Sequence, residues 1–120
     1  MTEPDSPGLG QIRDALREFA AERDWDQFHS PKNLASALSV EAAELLECFQ
    51  WLSEAESRAL TPQQLAHVRE EMADVLNYLV RLADKLDVDL LDAARDKIGK
   101  NALKYPADKV RGTARKYSDL

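Results

Sequence analysis

The stretch TPQQLAHVREEMADVLNYLVRLADKL, Thr61 to Leu86, decides the fold. It opens on Thr61-Pro62-Gln63-Gln64, the pattern of a capping box with proline in the first helical position. Leu65, Val68, Met72, Val75, Leu76, Leu79, Leu82 and Leu86 then recur every three or four residues, so the segment predicts one long amphipathic helix. A helix with such a stripe needs other helices to cover it.

The flanking sequence supplies them. Ile12, Leu16, Phe19 and Ala20 repeat at helical spacing and predict a helix from about Gln11 to Arg23. Residues 24–29 break that period and are rich in aromatics, and Ser30-Pro31 reads as an N-cap followed by proline in the first turn. The helix begun there carries Leu34, Leu38, Ala42, Leu45, Phe49 and Leu52 on one stripe and is expected to end near Leu52. Ser53 to Leu60 then reads as a polar connection. Asp89 predicts the N-cap of a last helix containing Leu91, Ala94, Ile98 and Ala102, which Pro106 ends. No strand-like alternation appears. The expected class is all-α, a bundle of four helices.

A length of 120 residues allows one domain. Residues 1–10 are expected to form a flexible N-terminal segment, 11–105 the helical domain and 106–120 a C-terminal tail. Hydrophobic residues at 44% and charged residues at 32% describe a globular chain rather than a disordered one. No apolar run approaches the roughly 20 residues that span a bilayer. Glu3 and Asp5 in the first ten residues do not fit a secretory signal. A single cysteine, Cys48, excludes an internal disulfide and reads as a packed thiol, so a reducing, cytoplasmic compartment is expected. The net charge of −6 argues against a nucleic-acid polymer as partner. Its distribution is uneven. Eight of the sixteen basic residues fall between Arg95 and Lys116, while acids concentrate between Glu41 and Glu71.

Those acids form two spaced pairs. Glu41 and Glu44 lie on the second helix, and Glu71 and Asp74 on the long one. Residues three apart on a helix are neighbours, so each pair can converge. Glu41 and Glu44 sit about 60° and 120° from the centre of their helix's apolar stripe, and Glu71 and Asp74 about 80° and 140° from theirs. Both pairs are thus at the shoulder of a buried face and can meet when the faces pack. Four clustered carboxylates repel unless a cation joins them, and Mg²⁺ takes oxygen ligands while also binding phosphates. The competing expectation is a solvated acidic face, since the same spacing occurs on exposed helices.

The neighbours of the acids favour the metal. Trp51 and Tyr78 fall on the acid-bearing sides of their helices, and Trp25, Phe28 and His29 sit in the aromatic linker, where rings can stack on a nucleobase. Lys97, Asn101 and Lys104 form a polar ridge whose donors suit phosphate oxygens. Glu47, one turn beyond Glu44, is a weaker candidate for orienting a water.

Val40-Glu41-Ala42-Ala43-Glu44-Leu45, then Phe49-Gln50-Trp51 and Glu70-Glu71-Met72-Ala73-Asp74-Val75-Leu76, resembles the MazG-like nucleotide pyrophosphohydrolases, all-α enzymes with an E-x-x-E and E-x-x-D metal motif. The similarity extends through Trp25 to Asn33 and through Lys104-Tyr105-Pro106, Arg111-Gly112 and Lys116 to Leu120, and is nearest the dCTP pyrophosphatase branch. It implies Glu41, Glu44, Glu71 and Asp74 as catalytic Mg²⁺ ligands, Trp25, Phe28, His29, Trp51 and Tyr78 around the nucleoside, and Lys97 and Asn101 near the phosphates. It also implies a homodimer or homotetramer, and hydrolysis of dCTP or a modified dCTP to monophosphate and pyrophosphate in nucleotide-pool sanitation. Val40 replaces a second glutamate common in the wider family, and Leu16 stands where the dCTP branch carries a base-contacting histidine. Hydrolysis of another pyrimidine triphosphate, or a non-catalytic helical binding module, are the alternatives.

Overall fold

The computed structural model describes residues 8–114 and 118, and among them every regular element is helical. They divide into two compact units, one ending at Asp87 and the other starting at Val88. The expectations for residues 1–7, and for the final Lys116–Leu120 motif apart from Ser118, lie outside the described residues.

The first unit contains α1 (Leu9–Glu22), a 3-10 turn (Asp26–Phe28), α2 (Pro31–Glu47), the short α3 (Glu54–Ser57) and α4 (Pro62–Leu86). The expected caps form. Thr61 Oγ1 accepts from the Gln64 N–H at 3.1 Å while Gln64 Oε1 accepts from the Thr61 N–H at 2.9 Å. Ser30 Oγ accepts from the Asn33 N–H at 3.1 Å. α4 packs mainly along α2 and next along α1. Leu34 and Ala20, each 1% exposed, with Val68, Val80 and Ala83, form the core.

The end of α1 fixes the aromatic linker. Asp24 adopts the left-handed conformation (φ 54°), which a short polar side chain tolerates better than most. The Trp25 N–H then reaches back to Ala20 O (2.9 Å) and the Asp24 N–H to Ala21 O (3.1 Å). This is a Schellman ending, and its usual hydrophobic clasp is the edge-on contact of Trp25 with Phe19, ring centroids 5.7 Å apart.

Several expected boundaries differ. α1 begins at Leu9, behind Gly8. α2 stops at Glu47 rather than near Leu52, because the Cys48 and Phe49 N–H groups bond only three residues back, to Leu45 O and Leu46 O, and the chain tightens into turns. The connection from Ser53 to Leu60 holds a helical turn, α3, closed by a reciprocal capping box between Ser53 and Glu56. The stripe assigned to α4 is only partly buried. Leu65, Met72, Leu76, Leu79 and Leu86 are exposed, whereas Val80, Arg81 and Ala83 are buried. The less exposed residues of α4, among them Glu71, Asp74, Val75 and Tyr78 and then 80–85, lie toward the acid-bearing side, so the buried face is rotated away from that ridge.

The second unit holds α5 (Leu90–Lys104) and the single turn α6 (Ala107–Val110). Asp89 caps α5, its Oδ1 accepting from the Leu91 and Asp92 N–H groups at 3.0 and 3.1 Å. No α5 residue is buried, and Leu91, Ile98 and Leu103 of its apolar side stand exposed.

Candidate active site

α2 and α4 bring three of the four expected carboxylates together. One oxygen from each of Glu41, Glu44 and Glu71 lies within 4.8 Å of the other two, the one cluster of this kind among the described residues. Asp74 falls outside that group, yet its charge bears on both Glu41 and Glu71, so it borders the site. Electrostatics follow from crowding. Glu41 is pushed up to about 7, first because it shares a proton-mediated hydrogen bond with Glu44, then by burial and by the charges of Glu44, Asp74 and Glu71. Glu71 is raised by burial and then by Glu44.

Glu71 Oε2 is sealed from solvent and has no hydrogen-bond partner. A native fold seldom leaves such an atom unsatisfied. A hard cation among oxygen donors would satisfy it, and the absence of histidine or cysteine from the donor set matches ions that prefer oxygen. The residues therefore fit a divalent metal.

Cys48 lies beside the cluster, its Sγ 3.6 Å from Glu44 O. Burial, then the charge of Glu71, raises its thiol and keeps it protonated, in line with an inert role. Glu47 is exposed. His67, one turn before Glu71, lowers that carboxyl's pKa, an influence not anticipated from the sequence.

The aromatic residues expected around the nucleoside are in different states. Trp51 is 86% exposed, in the turn after α2. Tyr78 is half-buried on α4, one turn past Asp74. Trp25 is half-exposed in its clasp with Phe19, and Phe28 is exposed. His29 is partly buried, with Nδ1 accepting from Arg81 Nε at 3.1 Å. Lys97 and Asn101 belong to the second unit, exposed one turn apart on α5.

Sequence reasoning missed a charged network at the far end of α4. Arg81, 6% exposed, also donates to Asp26 Oδ1, which accepts from Lys85 Nζ as well. Arg81 further faces Asp84 at 3.5 Å, and Asp84 takes a two-pronged ion pair from Arg17 of α1. Lys85 and then Arg81 hold the Asp26 carboxyl below its usual range, and Arg17 does the same for Asp84. A charge inside the apolar run Leu79-Val80-Arg81-Leu82-Ala83 was the available signal.

Known proteins resemble the chain over most of its length. The model of the MazG-like family matches residues 36–120, which include all four acids. The dCTP pyrophosphatase 1 of Rattus norvegicus is 50% identical over 116 residues, covering 95% of this chain and 68% of that protein. The human protein of the same name is 47% identical with the same coverage. A pyrophosphatase structure from Archaeoglobus fulgidus superposes with a TM-score of 0.78 at 42% identity, over 84% of this chain and 94% of that one. With the family's pattern running from α2 to the last residue, and these identities extending it over nearly the whole length, the chain belongs to the MazG-like family.

Proposed function

We propose that the chain is a nucleoside triphosphate pyrophosphohydrolase that converts dCTP, or a modified dCTP, and water to the monophosphate and pyrophosphate, and so clears the nucleotide pool. The single observation that carries the reading is the Glu41–Glu44–Glu71 cluster with its unsatisfied buried oxygen. The names of relatives about half identical to this chain supply the substrate.

Glu41, Glu44 and Glu71 would hold Mg²⁺, with Asp74 at the border of the site. The chemistry such an ion supplies is charge neutralisation at phosphate oxygens and acidification of water. The residues themselves do the rest. Trp25, Phe28, Trp51 and Tyr78 offer ring faces and edges for the base, and the exposure of Trp51 leaves its face free to stack. His29 contributes a polar ring to the nucleoside. Lys97 and Asn101, on α5 of the second unit, carry donors of the kind that suits phosphate oxygens. Water attacks the α-phosphorus, the bond to the bridging oxygen breaks, and pyrophosphate leaves.

A homodimer or homotetramer completes the proposal. Leu65, Met72, Leu76 and Leu79 make an exposed apolar ridge along α4, a surface that another subunit would cover. Sedimentation as a monomer at micromolar concentration would contradict it. No helix of the described residues is long and apolar enough to cross a membrane, and the charged, single-cysteine chain suits the cytoplasm.

The test is incubation with a panel of nucleotides and Mg²⁺, reading both products. dCMP with pyrophosphate supports the proposal, preference for another pyrimidine reassigns the substrate, and no hydrolysis of any triphosphate ends it.

A further inference from the structure

A guanidinium has five N–H donors and no acceptor. The imidazole nitrogen that faces Arg81 Nε at 3.1 Å must therefore present its lone pair, and that nitrogen is Nδ1 of His29. A neutral imidazole carries one ring proton, so the proton sits on Nε2. We propose that Arg81 is a positioning residue that fixes His29 in the Nε2–H tautomer, making it a neutral hydrogen-bond donor to the substrate.

Three features make the arrangement more than a brace. Arg81 cannot swing away, being 6% exposed and tied through its other nitrogens to Asp26 and Asp84, the latter anchored by Arg17. Its two contacts on the linker, Asp26 and His29, are three residues apart and bracket the 3-10 turn. Two anchors on so short a turn set its rotation, and with it the directions of Trp25 and Phe28. Position along α4 is the third feature. Asp74, Tyr78, Arg81 and Lys85 follow at intervals of four, three and four residues, so they form one ridge. Arg81 stands roughly 10 Å along that ridge from Asp74. An acid bordering the carboxylate cluster is thus at one end and the fixed imidazole is at the other.

The charged groups facing His29 are Arg81 and Lys85 from α4 and Asp26 from its own turn. Burial, then Arg81, pushes the imidazole below its ordinary pKa against the pull of Asp26, so the ring stays neutral at pH 7. The donor role rests on the reading of His29 as a substrate contact. The tautomer does not, and the two are tested separately.

The full chain labelled with ¹⁵N-histidine contains two imidazoles, His29 and His67, and comparison with His67→Gln assigns them. Long-range ¹H–¹⁵N correlation at neutral pH is expected to show a lone pair on His29 Nδ1 and the proton on Nε2. A proton on Nδ1 overturns the proposal. Arg81→Met keeps the length of the stem but removes every donor opposite Nδ1. In it the tautomers of His29 should mix, and KM should rise about ten-fold with kcat changed far less. An unchanged tautomer in that variant also overturns the proposal. Should Arg81→Met fail to fold, the wild-type spectrum and a pair of replacements still decide. His29→Gln places an amide donor where Nε2–H stood, whereas His29→Asn places it at Nδ1, so KM should rise several-fold less in Gln than in Asn. Equal KM for both removes the donor role. A chain that shows the expected tautomer yet hydrolyses no triphosphate strikes down the function and leaves the Arg81–His29 arrangement standing.

Discussion

Replacing Glu71 by glutamine tests the carboxylate cluster at its most exposed weakness. No protein group partners Glu71 Oε2, and burial and Glu44 both disfavour its charge. A neutral amide of the same shape removes that repulsion, so the metal-free variant should melt no lower than wild type. The metal-loaded comparison reverses. At a Mg²⁺ concentration one hundred times its Kd, binding to the native state alone stabilises by about 2.7 kcal/mol. Each kcal/mol is worth roughly 4–8 °C in a domain of this size, so wild type should gain about 10–20 °C. Losing even an outer-sphere partner of a metal typically costs 10–100-fold in affinity, and loss of a ligand should reach at least the upper figure. At the same Mg²⁺ concentration the variant then sits near its own Kd and gains only about 0.4 kcal/mol, or two to three degrees. Calorimetric melts in Mg²⁺ against chelator, with circular dichroism confirming the helices, measure both arms. A variant that gains as much as wild type would refute the assignment. A metal-free variant that melts well below wild type would show that the carboxylate has a stabilising partner within the protein.

Three further perturbations separate charge, core and substrate. Because the Glu41 carboxyl is raised from its ordinary 4.5 to about 7, ionising it disfavours the folded state, and the metal-free chain should lose stability as pH rises through that window. Mg²⁺ binding near pH 7 should accordingly release a proton, seen by calorimetry in buffers of differing ionisation enthalpy; no proton release and a flat stability profile would contradict this. Leu34→Ala empties a site 1% exposed and should cost about 2–5 kcal/mol in denaturant unfolding, with a smaller loss meaning the cavity collapses. Trp51→Ala removes a ring 86% exposed, so stability should change by less than about 0.5 kcal/mol. Its KM should nonetheless rise about ten-fold or more if the ring stacks on a base, and an unchanged KM would exclude that role.

What the sequence revealed was local. Ser30, Thr61 and Asp89 were legible as caps because a cap is settled within three residues, and each forms its expected backbone hydrogen bond. The carboxylate pairs were legible for the same reason, since a spacing of three fixes who neighbours whom on one helix. The Ser53–Glu56 box belonged to the same legible class, yet the polar character of its surroundings masked it. Other features depend on what lies opposite. Spacing placed Asp74 with the other acids, but which oxygens close to within 4.8 Å is set by the meeting of α2 and α4, and Asp74 stands just outside. The end of α1 was obscure because its left-handed residue is Asp24, where glycine is the usual signal.

Arg81 shows why long-range pairing hides from a local reading of the sequence. By spacing it falls opposite the leucine-rich stripe, on the side that carries Asp74, and a buried cation there is costly without partners. Its partners, Asp26 and His29, lie more than fifty residues earlier, so no local pattern could supply them. A fold that tolerates this charge must hold the aromatic linker against α4, and the same ion pair that stabilises Arg81 then fixes the rings of the proposed nucleoside pocket. The stability of the first unit and the geometry of that pocket therefore rest on one side chain, and variants at Arg81 should move both.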